Sequence, residues 1–402
     1  MAIHTLRSPK RFQDLPGDPG QRFIHEILTT GKQHILEELA LAQRSTNDSF
    51  QYQECRALLG KKNISIGKRN VVFYLCFEDG VEWAARLRNP FKQANPDHDQ
   101  ELSRKLETRS MESEIATLLF IKQRTTIPVP GIHGFDCSFD NKLGCPYMFM
   151  NKIEGRPIPD VVEDAGGITD AQILKIHAQL AAISLQLARR CTLSHIGQLE
   201  LGRDGTDGKP FVEQIVDRHA RLLGPFSHST DYYLTRSRLI HEEAQRKCLA
   251  QQSIDSAHLH VISAPFTSIP QVDKGPFPLQ HPDLHRQNVL INDNWTVVGI
   301  IDWSWASSIP WQSFRPLPFN LVDYILPFDA KLRERHETLF WKMVECLEEG
   351  EGKTWPNLPD LSVSMPTKIA SMMNRYAYPI DRDVDALVLK ELLAKVGLCS
   401  TA

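Results

Sequence analysis

The chain has 402 residues, a formal net charge of −3, and 42% hydrophobic and 24% charged residues, enough apolar material for a core spread over two or three lobes. It carries none of the basic excess by which proteins hold a phosphate backbone, so nucleic acid is not the expected partner. No apolar run approaches the ~20 residues that span a bilayer, and the eight cysteines lack any Cys-x-x-Cys pair or Cys/His cluster. Reduced thiols in a cytoplasmic protein, with no membrane partner, are therefore expected. The basic opening before Asp14 keeps a mitochondrial presequence as the alternative.

Residues 22–45 place Ile24, Ile27, Leu28, Ile35, Leu36, Leu39 and Leu41 at helical spacings around Gly31. This predicts one or two short amphipathic helices packed on the main body. From Ile64 to Leu87 the pattern turns to β-branched and aromatic runs joined at Asp79-Gly80, a hairpin signal. Met111, Ile115, Leu118, Leu119 and Ile121 then mark a helix, and "GCPYMFMNKIEGRPI" reads as a strand running into an extended connector.

Thr169 and Gln172 fit a capping box before the apolar repeat of "AQILKIHAQLAAISLQLAR". Residues 200–275 are polar and weakly patterned apart from a helix through "YYLTRSRLIHEEAQRKCLAQ". After "LQHPDLHRQN" come a strand, a tight Asn/Asp turn and a second strand that ends at Asp302, followed by further helices. The expected plan is an α+β chain of two lobes. A helical extension (1–49) and a small β-rich lobe (50–150) precede a larger, mainly helical lobe (151–402).

Asp283, Asn288 five residues on, and Asp302 beyond a hairpin have the residue types of a phosphoryl-transfer site. Asp283 would orient the acceptor hydroxyl and take its proton, while Asn288 and Asp302 offer the hard oxygens that suit Mg2+ beside nucleotide phosphates. Taken singly, such residues are more often turns and caps; their joint spacing is what points to chemistry.

His281-Pro282-Asp283-Leu284-His285-Arg286-Gln287-Asn288, followed by Ile301-Asp302-Trp303, resembles the aminoglycoside phosphotransferase and choline kinase group, relatives of protein kinases. "SHIGQLEL" and "IPVPGI" resemble its fungal-type branch, and the likeness covers about residues 50–345. The resemblance implies a two-lobed protein-kinase-like fold and an ATP- and Mg2+-dependent transfer to a hydroxyl of a small molecule. It also implies that Arg86, in "WAAR", stands at the kinase lysine position with Glu114 as its partner. Gly67 and Asn70 would be the nucleotide-loop contacts, and Met150 and Asn151 would lie in the adenine-binding linker.

Arg86 replaces the usual lysine, and "GKKNISIGKRN" lacks the Gly-x-Gly-x-x-Gly pattern. These departures motivate an alternative, a pseudokinase that keeps the fold as a binding or scaffolding module. A protein kinase is disfavoured because neither His-Arg-Asp nor an Asp-Phe-Gly segment is present. His281 reads as a brace of the loop, Trp303, Trp305 and Trp311 as packing residues, and Asp323 as a helix-surface carboxylate or a contact for a cationic acceptor.

Overall fold

Gly31 divides the first helical run as expected, because its φ of 77° strains any residue with a side chain. The products are α1 (Pro19–Thr29) and α2 (Lys32–Asp48). Asp18 caps α1 by accepting from the Gly20 N–H at 2.6 Å. The computed structural model describes residues 3–4, 18–59, 63–67, 69–91, 100–202, 210–216, 221–246, 269–315, 330–351 and 356–363.

The strands of the first lobe are β1 (Cys55–Ala57), β2 (Ile64–Ile66), β3 (Asn70–Phe77) and β4 (Glu82–Arg88). Helix α3 (Gln100–Arg124) comes next, then β5 (Ile132–Asp136) and β6 (Tyr147–Asn151). All pair antiparallel: β1 and β2 share one edge of β3, and beyond β3 the order runs β4, β6, β5. The β3–β4 hairpin turns at Asp79-Gly80, with Gly80 at φ 82°.

Period-two alternation divides β3 between two cores. Val71, Phe73, Leu75 and Phe77 pack against Phe23, Ile27, Leu36 and Ala40 of α1 and α2. Val72 and Tyr74 face the other way, toward Ala84, Met111, Ile115, Met148 and Met150. Each fully buried Phe, Leu or Ile here contributes roughly 1.5–3 kcal/mol, so the two helices stabilise the sheet substantially.

In the second lobe, β7 (Arg156–Pro157) leads into α4 (Ile158–Asp164) and α5 (Asp170–Arg190). The capping box of α5 is formed: the Thr169 N–H donates to Gln172 Oε1 at 2.7 Å, and the Gln172 N–H donates to Thr169 Oγ1 at 3.4 Å. Beyond it lie helix α6 (Ser229–Arg246), strands β8 (Phe277–Gln280), β9 (Val289–Ile291) and β10 (Val297–Ile300), and α7 (Ala330–Glu351), which packs along α5. The β9–β10 hairpin carries β7 on its other edge through Leu290↔Pro157, tying the end of the interlobe connector to the candidate site. This is the two-lobed α+β architecture expected. No described helix is long and apolar enough to cross a membrane.

Candidate active site

The loop between β8 and β9 is held by His281, which is 1% exposed. The Asp283 N–H donates to His281 Nδ1 at 3.1 Å, so the ring proton sits on Nε2, which donates to Ile301 O at 3.0 Å. Burial holds this imidazole down at about 4, and the neutral ring bridges the loop to the residue before Asp302. Trp303 packs at a tilt, its ring centroid 4.5 Å from that of His281, and its Nε1–H donates to Ile300 O.

Asn288 closes the loop from the other end. Its amide Nδ2 donates to Asp283 O at 2.9 Å, and its main-chain O accepts from the Ile301 N–H at 3.0 Å. The hairpin thereby sets Asn288 beside Ile301 and Asp302, as the spacing predicted. Asp302 has a φ of 62°, an unfavourable value for a residue with a side chain and one that concentrates at functional positions.

Asp283 is exposed, with His285 Nε2 3.4 Å from its Oδ2. The Gln287 N–H donates to His285 Nδ1, which leaves Nε2 as the protonated atom facing the carboxylate. The His285 hydrogen bond lowers the pKa of Asp283, and the same bond raises that of His285. Asp302 lies close enough for its charge to push the Asp283 pKa upward, a smaller effect than the His285 bond.

Arg86 projects from β4 into a network of carboxylates. It pairs with Glu114 of α3, places Nη2 2.9 Å from Asp302 Oδ1, and donates to Ser304 Oγ at 3.2 Å. The Ser304 hydroxyl in turn donates to Glu114 Oε2 at 2.8 Å. Burial opposes the Arg86 charge, but Glu114 and Asp302 more than offset it and raise its pKa. Burial also disfavours the Asp302 charge, yet Arg86 and Ser304 outweigh it and keep that carboxyl below its usual range. The side chain of Glu114 is 1% exposed and that of Asp302 45%, so Glu114 holds the arginine while Asp302 faces the cleft.

Gly67 and Asn70, the expected nucleotide-loop contacts, close the tight turn between β2 and β3, where the Gly67 N–H donates to Asn70 O at 2.8 Å. Asn70 Oδ1 is enclosed without a hydrogen-bond partner among the described residues. Residues 60–62 and 68 of the same stretch, and Asp323, lie outside the described residues. In the linker, Met150 joins the core facing α3. Asn151 turns aside: its N–H donates to Gly131 O at 2.9 Å, and its Oδ1 fills the space where a side chain on Gly131 would stand. The amide N–H of Asn151 is thus committed to Gly131 O, while its side chain is exposed.

Sequence reasoning missed Ser304, whose one signal was its place two residues after Asp302. Arg88, on the same face of the strand as Arg86, is 1% exposed and sets Nε 3.0 Å from Glu107 Oε2 on α3, a partner the sequence did not reveal. Strand β4 therefore carries two arginines on one face, each matched by a glutamate one heptad apart on α3.

Among known proteins, clavilactone A biosynthesis cluster protein Y of Ampulloclitocybe clavipes is 20% identical over 284 residues, covering 68% of this chain and 67% of that protein. A subtelomeric hrmA-associated cluster protein of Aspergillus fumigatus is 29% identical over 92 residues, 23% of this chain and 16% of that protein's length. Among solved structures, macrolide 2'-phosphotransferase type I aligns with 91% of this chain and 97% of its own at a TM-score of 0.40 and 12% identity. The model of the phosphotransferase enzyme family (APH) matches residues 64–311, a span that runs from β2 past Asp302, and the chain belongs to that family.

Proposed function

We propose that the chain transfers the γ-phosphoryl group of ATP to a hydroxyl on a small molecule, with Mg2+ as cofactor. What supports this reading is the pair of contacts that join Asn288 to Asp283 and Asp302 to Arg86, with Glu114 holding the arginine. A scaffold has no physical need for all five.

Asp283, ionised at neutral pH and exposed to the cleft, accepts the acceptor's hydroxyl proton as the oxygen–phosphorus bond forms and the bond to the ADP oxygen breaks. His285 orients that carboxylate through its Nε2–H. Asn288 spends its Nδ2 on Asp283 O, which leaves Oδ1 free to act as a cation ligand, and the part-exposed carboxylate of Asp302, whose Oδ1 also meets Arg86, would be the second. Oxygen donors of this kind fit Mg2+, which takes few protein ligands and keeps several waters. When bound, the cation supplies neutralisation of the phosphate charge that grows in the transition state. Arg86 is positioned to grip phosphate oxygens bidentately, held in place by Glu114 and Ser304.

The test is calorimetric titration with ATP, with and without Mg2+, followed by a phosphate-transfer assay across amino alcohols, sugars and antibiotics. Mg2+-dependent binding in the micromolar to millimolar range and transfer to one acceptor class are expected. Absence of ATP binding at millimolar concentration refutes the reading.

A further inference from the structure

The turn between β2 and β3 is poorly equipped to hold phosphate with its backbone. It has no glycine-rich run, and the Gly67 N–H is already committed to Asn70 O. A side chain from the same turn offers another means. Arg69 is anchored through its main-chain O, which accepts from the Asn89 N–H at 2.9 Å. Its guanidinium carbon lies 5.3 Å from the ring centroid of Trp305, three residues past Asp302.

The surroundings leave that guanidinium underused. Arg69 Nη1 is enclosed and has no hydrogen-bond partner among the described residues. The nearest carboxylate oxygen, Glu107 Oε1, is 3.6 Å away, beyond hydrogen-bond range. Glu107 is also shared: its other oxygen lies 3.0 Å from Arg88 Nε. Two cations thus surround one carboxylate, and Arg88 likewise has an enclosed, unpartnered Nη1 among the described residues.

Arg88 is sealed at 1% exposure, whereas the Arg69 side chain keeps 29%. Burial lowers the pKa of Arg88, and the charges of Arg86 and Arg69 add to that against the pull of Glu107 and Glu114. An anion that reached this cluster would meet Arg69, the more exposed of the two guanidinium groups around Glu107.

We propose that Arg69 is a ligand for the phosphate tail of the bound nucleotide, parked on Trp305 and Glu107 until that tail arrives. The proposal rests on the ATP reading above and adds to it a side-chain contact in place of the missing glycine-rich loop. A guanidinium fork suits phosphate oxygens in a way the aromatic face and a shared carboxylate do not.

Calorimetric titration of the full chain and of its Arg69→Ala and Arg69→Lys variants with ATP, ADP and adenosine tests it. Arg69→Ala should bind ATP about ten- to a hundredfold more weakly while adenosine binds as before, because the residue touches phosphate and not the nucleoside. Arg69→Lys should recover part of the loss. Unchanged ATP affinity in Arg69→Ala overturns the proposal, and so does an equal loss for adenosine, which would mark Arg69 as a brace of the turn. A native chain that binds no ATP overturns the nucleotide reading as well, a result visible before any substitution is made.

Discussion

Arg86 Nη2 lies 2.9 Å from Asp302 Oδ1 across 216 residues of sequence, joining a strand of the first lobe to the end of the β9–β10 hairpin in the second. The same guanidinium pairs with Glu114, whose side chain is 1% exposed. Removing one member of such a buried pair leaves a charge without its partner. Arg86→Ala should therefore cost about 3–5 kcal/mol in urea unfolding. The double variant Arg86→Met/Glu114→Leu should recover most of that stability yet bind ATP no better than Arg86→Ala. Restored nucleotide affinity in the double variant would show that Arg86 serves the fold alone.

The assignment of Asp283 as proton acceptor predicts a separation of effects. Asp283→Asn should lower turnover about 10²- to 10⁴-fold, the range for a lost general base, with ATP affinity within about threefold of the native chain. Steady-state kinetics paired with calorimetry measures both. A turnover rate that survives the substitution refutes the role.

Buried histidines make the fold sensitive to acid. His177 of α5 packs edge-on against His336 and Phe340, and neither of its ring nitrogens meets a hydrogen-bond partner among the described residues. Burial holds both His177 and His281 down at about 4, while in the unfolded chain each protonates near 6.5. Between those values the unfolded chain takes up protons that the fold refuses. Stability should thus fall as pH drops through 6.5, by about 1.4 kcal/mol per pH unit for each histidine. His285, raised by its bond to Asp283, works in the opposite direction and softens the slope. In urea titrations at pH 7 and pH 5, His177→Leu should lose about 2 kcal/mol less than the native chain. Equal losses would mean that His177 does not stay neutral.

Gly155, in the connector between the lobes, leaves no room for a methyl group. A Cβ there would collide with Val298 Cγ2 of β10 and lie 3.3 Å from Ile291 O of β9. Gly155→Ala should cost about 1–3 kcal/mol by overpacking and should lower kcat, because the displaced strands carry Asn288 and Asp302 to the site. Thermal unfolding together with the transfer assay checks both; a variant with native stability and rate would refute the coupling.

Local patterns in the sequence resolved local features. The capping box at Thr169, the Asp79-Gly80 hairpin and the hairpin between Asn288 and Asp302 are set by residues within a few positions of one another. The spacing from Asp283 to Asp302 carried the site because one hairpin returns the chain to its start. Helix α3 was legible only where its apolar face recurs. Its first turns, from Gln100 to Ser110, are polar and lack a helical stripe, and buried contacts such as Glu107 to Arg88 help hold them. Ser304, Arg69 and Arg88 act through partners far away in sequence, and no period or spacing encodes such a meeting.

Strand β3 is clad on one face by α1 and α2 and on the other by residues that pack against α3. A sheet laminated in this way resists bending, so the first lobe is one stiff plate. The contacts of Arg86 to Asp302 and of Arg69 to Trp305 fasten that plate to the segment that follows the β9–β10 hairpin.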